Sequence, residues 1–248
     1  MQISFFVEFP QTDLHGLRYL SWPTKLYVAA KSLEEFGKLQ QQFKNKYVKE
    51  FVYWPVLSKT EGYWISPFSD REGLKRVFQE LKDNKTPVMI DAELPTTQNP
   101  LLYITQLFNF FRNRRFIRRF ISDYEDVYVA EYYPQGKFMT SLLTFSGLHF
   151  DPQEYHCQSI KMVYHSMHTF KKTFIRKKLK DGVKTFGNRF LVAYGVMYTG
   201  NGWEPKITVS QLKTDLEIAK KAGMSEVIIF RLAGLNKTFT SLLKEYFP

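Results

Sequence analysis

Eight short apolar runs follow one another along the chain, and their spacing is what most limits the folds open to it. They cover Ile3–Glu8, Lys25–Ala30, Phe51–Pro55, Val88–Glu93, Val127–Tyr132, Ile160–His165, Phe190–Met197 and Val227–Leu232, with starts about 22 to 39 residues apart. Runs of this length read as strands, and the gaps are long enough to hold a helix. Several gaps carry helical signals. Ser32–Lys46 opens with Ser-Leu-Glu-Glu, a capping-box pattern. Ser69-Asp70 precedes Leu74, Val77, Phe78 and Leu81 at helical spacing. Val209–Ala222 is followed by Gly223, a natural C-cap, and Lys237–Tyr246 closes the chain. Strand–helix alternation predicts a parallel sheet. No glycine-rich phosphate loop follows the first run, which counts against the alternative, a doubly wound open sheet; no cofactor is expected. The chain has 248 residues and no Pro/Gly/Ser-rich linker or repeat. The expected fold is therefore α/β, one (β/α)8 TIM-type barrel over residues 1–248. A ninth apolar run, Leu142–Phe150, is expected to lie in an insertion around 135–158.

Four of the runs end within a few residues of a proline, and three of these carry a carboxylate just before it: Glu8-Phe9-Pro10, Asp91-Ala92-Glu93-Leu94-Pro95 and Glu131-Tyr132-Tyr133-Pro134. A charge at the end of a buried strand is costly unless it faces a solvated cavity. Three such ends predict acids gathered at the C-terminal mouth of a barrel. Strand parity allows Glu93, Glu131, Tyr164 and Arg231 to point inward together. Two acids on neighbouring strand ends suit glycoside hydrolysis, which needs a proton donor and a second carboxyl group. Glu93, Asp91 and Glu131 are thus the candidate catalytic residues. Glu8, Trp54, Tyr132, Tyr198, Trp203 and Arg231 are candidates for holding a carbohydrate or an anionic small molecule. Trp203 lies in Gly200-Asn201-Gly202-Trp203, a turn after the seventh run.

Lys161-Met162-Val163-Tyr164-His165 resembles the Met-x-Tyr-Asp strand of family 18 chitinase-like barrels, and Asp91-Ala92-Glu93 resembles the end of their Asp-x-x-Asp-x-Asp-x-Glu strand. Glu131-Tyr132-Tyr133-Pro134 is similar to the family's Trp-Glu-Tyr-Pro segment. The resemblance implies that Glu93 is the acid, that Asp91 orients the acetamido group of the substrate, and that Tyr164 assists. Pro87 and Met89 stand at the spacings of the motif's first two aspartates, and His165 stands where the family has Asp. A catalytically silent barrel that binds a glycan or an anionic ligand is the alternative these departures imply.

The formal net charge is +11, with clusters at Arg112–Arg119 and Lys171–Lys184. Such an excess draws anionic partners or serves only as a solvated surface. In Leu101–Ile121, Ile104, Leu107, Phe108 and Phe111 form one apolar stripe, and Phe116, Ile117, Phe120 and Ile121 form another nearly opposite. One straight helix cannot bury both, so a break is expected between Arg112 and Arg115, with the first half as the ordinary barrel helix. An anionic membrane surface touching Arg112–Arg119, with the chain acting as a membrane-surface or scaffold protein, is the partner this segment could take. No nucleic-acid module is recognisable. His149, His156, His165 and His168 lack metal-site spacing and read as hydrogen-bonded histidines rather than ligands. Cys157 is the single cysteine. The first apolar run is too short for a signal peptide and no run reaches membrane-spanning length. A cytoplasmic, membrane-peripheral protein is the expected setting.

Overall fold

The computed structural model describes residues 1–134, 136–166, 170–199 and 204–246. Eight parallel strands close into a barrel in the order of the sequence. They are β1 (Gln2–Val7), β2 (Thr24–Ala30), β3 (Val48–Pro55), β4 (Val88–Asp91), β5 (Val127–Tyr132), β6 (Gln158–Val163), β7 (Phe190–Gly195) and β8 (Glu226–Phe230). Between and after them run α1 (Pro10–Asp13), α2 (Leu33–Gln42), α3 (Arg71–Lys82), α4 (Leu102–Thr105), α5 (Phe110–Asp123), α6 (Lys137–Phe145), α7 (Lys172–Phe186), α8 (Val209–Ala222) and α9 (Lys237–Lys244). This is a single (β/α)8 TIM barrel. Within it the chain groups into two compact units, one of Met1–Ala29, Gly37–Val52 and Lys161–Pro248, the other of Ala30–Phe36 and Tyr53–Ile160. No helix among the described residues is long and apolar enough to cross a membrane.

Local sequence signals explain the helix ends. Asp70 accepts a hydrogen bond from Gly73 N and starts α3. Thr208 and Gln211 form a reciprocal capping box on α8, which ends at Gly223 with φ 80°, a conformation glycine adopts without strain. Asn236 caps α9.

The run Leu142–Phe150 lies in the connection between β5 and β6, where it straddles the end of α6 and the loop leading to β6. One expectation changes. The break in Leu101–Ile121 falls earlier than expected. Residues 106–109 carry it, and α5 runs unbroken from Phe110 through all five arginines. The reason is Asn113. It is fully buried, donates to the carbonyls of Pro67 and Ser69 and accepts from Arg71, so with Phe110, Ile117 and Ile121 it completes one continuous buried stripe.

The roles of the two stripes are also exchanged. Phe116 and Phe120 pack on Phe78 of α3, at 5.1 and 4.1 Å between ring centroids. Ile104, Leu107, Phe108 and Phe111, expected on the barrel side, are exposed.

Candidate active site at the ends of β4 and β5

The register decides which side chains enter the barrel. Tyr53 pairs with Val88, and Val88 with Val127. Tyr53 lays its ring against Phe36 of α2 at 5.1 Å, so that side of the sheet faces the helices. Side chains alternate along a strand. Trp54, Met89, Asp91, Tyr128 and Ala130 therefore face the barrel interior. Glu93 and Tyr132 continue that side just beyond and at the last residue of their strands, where they hydrogen-bond to each other.

Glu93 is half-buried and Tyr132 is 41% exposed, so the pair sits where a buried surface meets solvent. Burial pushes the Glu93 carboxyl up to about 7, and the Tyr132 hydroxyl that donates to it only partly offsets this. Tyr132 in turn is raised by burial and by the charges of Glu93 and Asp91. Tyr103 lies near enough to add to this effect, and its hydroxyl is 2.6 Å from that of Thr96. Neither Tyr103 nor Thr96 is distinguished in the sequence, because both lie in the connection after β4 rather than at a strand end. Asp91 is almost fully buried on the same face as Glu93. This arrangement can hold a proton near neutral pH and present it at a strand end.

Glu131 is not on that face. Its position in β5 points it to the helix side, and it is 0% exposed. Ser159 Oγ donates to its Oε1 at 2.6 Å, His149 Nδ1 lies 2.6 Å from Oε2, and the Phe150 amide donates at 3.3 Å. The expectation that Glu93 and Glu131 converge thus fails on strand parity: two parallel strands in register present residues of opposite parity to opposite faces. Trp54 faces inward but is 3% exposed, leaving no open ring for a sugar.

Other candidates belong to the unit that holds β1, β7 and β8. Tyr194 feels the Asp215 carboxylate of α8, so its side faces the helices. In register with Tyr194 are Ile229 and, across β8, Phe5. Phe6, Ile228 and Phe230 are therefore the inner residues, the reverse of the expectation that placed Arg231 inside. Tyr164 is half-buried with its ring 5.9 Å from Phe230, and Phe230 lies 6.3 Å from Phe6. Gly195 lies under this stack; a Cβ there would come within 3.1 Å of Phe230 and 3.4 Å of Tyr164. Arg231, 2% exposed, is committed to structure. Its Nε donates to both Asp13 oxygens at 3.1 Å, one Nη donates to the Thr199 carbonyl, and its guanidinium covers the rings of Phe9 and Tyr198. Burial raises the Asp13 carboxyl more than Arg231 lowers it. Tyr198 is also covered by Lys206, and Glu8 is half-buried just past β1. Trp203 and His168 lie outside the described residues. His165 contacts Asp215 at 2.9 Å. No group of three or more His, Cys, Asp or Glu is placed to hold a metal among the described residues.

The (β/α)8 fold is similar to that of solved glycoside hydrolase and chitinase barrels. Among similar solved structures are the PgaB (BpsB) glycoside hydrolase domain of Bordetella bronchiseptica, with a TM-score of 0.59, 10% identity and 98% of each chain covered, and a chitinase of Chromobacterium violaceum, with a TM-score of 0.56, 8% identity and 98% of each chain covered. A family 18 chitinase of Cycas revoluta in complex with (GlcNAc)3 matches with a TM-score of 0.53, 10% identity and 99% of each chain covered. No family model and no curated protein matches the sequence.

Proposed function

We propose that the chain hydrolyses a glycosidic bond in a carbohydrate or glycoconjugate, with Glu93 as the proton donor. The observation that carries this reading is a half-buried carboxyl at the end of β4, held near pH 7 by burial, with the Tyr132 hydroxyl as its donor. A general acid works best when its pKa lies near the working pH. Glu93 gives its proton to the glycosidic oxygen as the C–O bond breaks. Water then adds to the anomeric carbon and returns a proton to the Glu93 carboxylate. Asp91, on the same face, stabilises the cationic sugar or orients a substituent of it. The half-exposed ring of Tyr132 offers the sugar a contact surface. Glu131 has no chemical step in this scheme.

The test is release of new reducing ends from β-linked N-acetylglucosamine and glucose oligosaccharides by the wild type and by Glu93→Gln. Hydrolysis that falls by about 10²-fold or more in the variant supports the proposal, since a positioned acid contributes about 10²–10⁴-fold. Equal rates would remove Glu93 from the chemistry. A second reading, a silent glycan-binding barrel, is favoured by Pro87 and Met89 standing at the spacings of the motif's first two aspartates. Saturable oligosaccharide binding without hydrolysis would select it.

A further inference from the structure

All but one of the exposed large hydrophobic side chains among the described residues lie in two segments of one unit, 101–111 and 138–145; the exception is Tyr132. Phe108 is 92% exposed, Phe138 81% and Ile104 72%. The second segment is α6, whose apolar residues recur at helical spacing (Phe138, Leu142, Phe145) yet which buries none of its residues. An amphipathic helix normally turns such a stripe to a core; here it turns outward. The two segments meet where the Phe111 and Phe145 rings stand 6.4 Å apart.

Beside this apolar surface lies a cationic one. A cleft of about 210 Å³ is lined by Phe111, Arg114, Arg115 and Arg118. The Arg114 guanidinium covers the Phe145 ring at 5.2 Å, and Arg118 reaches the Thr144 carbonyl at 2.8 Å, so α5 and α6 share one mixed surface. The buried Nε atoms of Arg114 and Arg118 have no acceptor among the described residues. Arg112 and Arg115 are exposed; of the five arginines only Arg119 is matched on its own helix, by Asp123.

We propose that this face docks on a membrane carrying anionic phospholipids, with the rings and aliphatic chains of the 101–111 and 138–145 segments entering the acyl boundary and the α5 arginines meeting headgroup phosphates. An apolar patch of this kind needs a covering partner, and its chemistry selects one. A second copy in a two-fold contact would set the same patch against itself and bring like-charged arginines together. A nucleic acid would satisfy the arginines but has nothing for Ile104 and Leu107. An anionic bilayer offers both phases in the order in which the protein presents its side chains.

The experiment is co-sedimentation of the full chain with vesicles of phosphatidylcholine alone and of phosphatidylcholine with about a third phosphatidylglycerol, at low and high salt. Binding is expected to the mixed vesicles only, weakening as salt screens the arginines. Each arginine near an anionic surface contributes about fivefold, so Arg112→Glu with Arg115→Glu should weaken binding by at least 20-fold. Phe108→Ser with Phe138→Ser, at side chains already in solvent, should leave the unfolding midpoint unchanged and weaken binding about tenfold or more. Failure of the wild type to bind at low salt overturns the proposal. So does binding indifferent to the Phe108→Ser/Phe138→Ser pair, which would reduce it to adsorption by charge. A dimer in sedimentation velocity that is abolished by that pair would assign the face to self-association and equally overturn it.

Discussion

Glu93 and Glu131 end neighbouring parallel strands, each a few residues before a proline, and the barrel gives them opposite tasks. Glu131 faces the helices, accepts from Ser159 and Phe150, and meets His149 Nδ1 at 2.6 Å. Glu93 faces inward, has the Tyr132 hydroxyl, and is pushed up to about 7. The difference teaches that a buried acid is defined by its parity in the strand and by what meets its oxygens, since the local sequence around the two is much alike. One is tied to neighbouring donors on the helix side, and the other is held toward its neutral form.

The most severe way to break the comparison is Glu131→Leu. It leaves a hydroxyl, a ring nitrogen and an amide without their acceptor, and unsatisfied buried groups cost about 1–3 kcal/mol each. A loss of about 3–5 kcal/mol in urea unfolding is expected. Glu93→Gln should do the reverse, lowering glycan hydrolysis by about 10²-fold with no loss of stability; a large destabilisation there would place Glu93 in the structural class with Glu131.

Titration sharpens the contrast further. The folded-state pKa of Glu93 lies above the ordinary carboxyl value of 4.5, so the folded protein binds the extra proton between the two. Stability should therefore fall as pH rises from about 4.5 to about 7 and level off above, by an amount on the order of 1 kcal/mol for a half-buried group. Glu93→Gln should remove this slope in pH-dependent unfolding, and hydrolysis by the wild type should decline as pH rises through about 7. The smallest effect expected is that of Tyr132→Phe. Its hydroxyl favours the Glu93 carboxylate, so the variant should shift the alkaline limb of the pH–rate profile upward, at a cost in rate of about three- to tenfold for one hydrogen bond of about 1 kcal/mol. An unshifted profile would mean that the two side chains do not act as a pair.

All eight strands were legible as apolar runs, and Glu93 stood out as an acid at the end of one of them. What the sequence could not decide was which face of each strand turns inward. Strands of a parallel barrel are apolar on both sides, so Ile228 and Phe230 look as suited to a helix-packed face as Val227 and Ile229 do. Arg231 reads as a ligand for anions until Asp13, more than 200 residues away, is seen to take its Nε. In α5 the buried stripe is hidden by Asn113, whose partners Pro67, Ser69 and Arg71 come from another connection. The trade of roles between the two stripes of 101–121 follows from this. Side chains satisfied at long range carry no local signal, whereas a capping residue such as Asp70 is satisfied within three residues and was readable.

The pairing of β1 with β8 has a consequence in time. Ile3 lies in register with Val227, more than 200 residues later in the chain. During synthesis at about 5–20 residues per second, the open edge of β1 must wait roughly ten to forty seconds for its partner. Until then an apolar parallel edge is available to any other strand, and closure over so long a loop is intrinsically slow. The last strand to emerge therefore sets when the nascent chain becomes safe from misassembly.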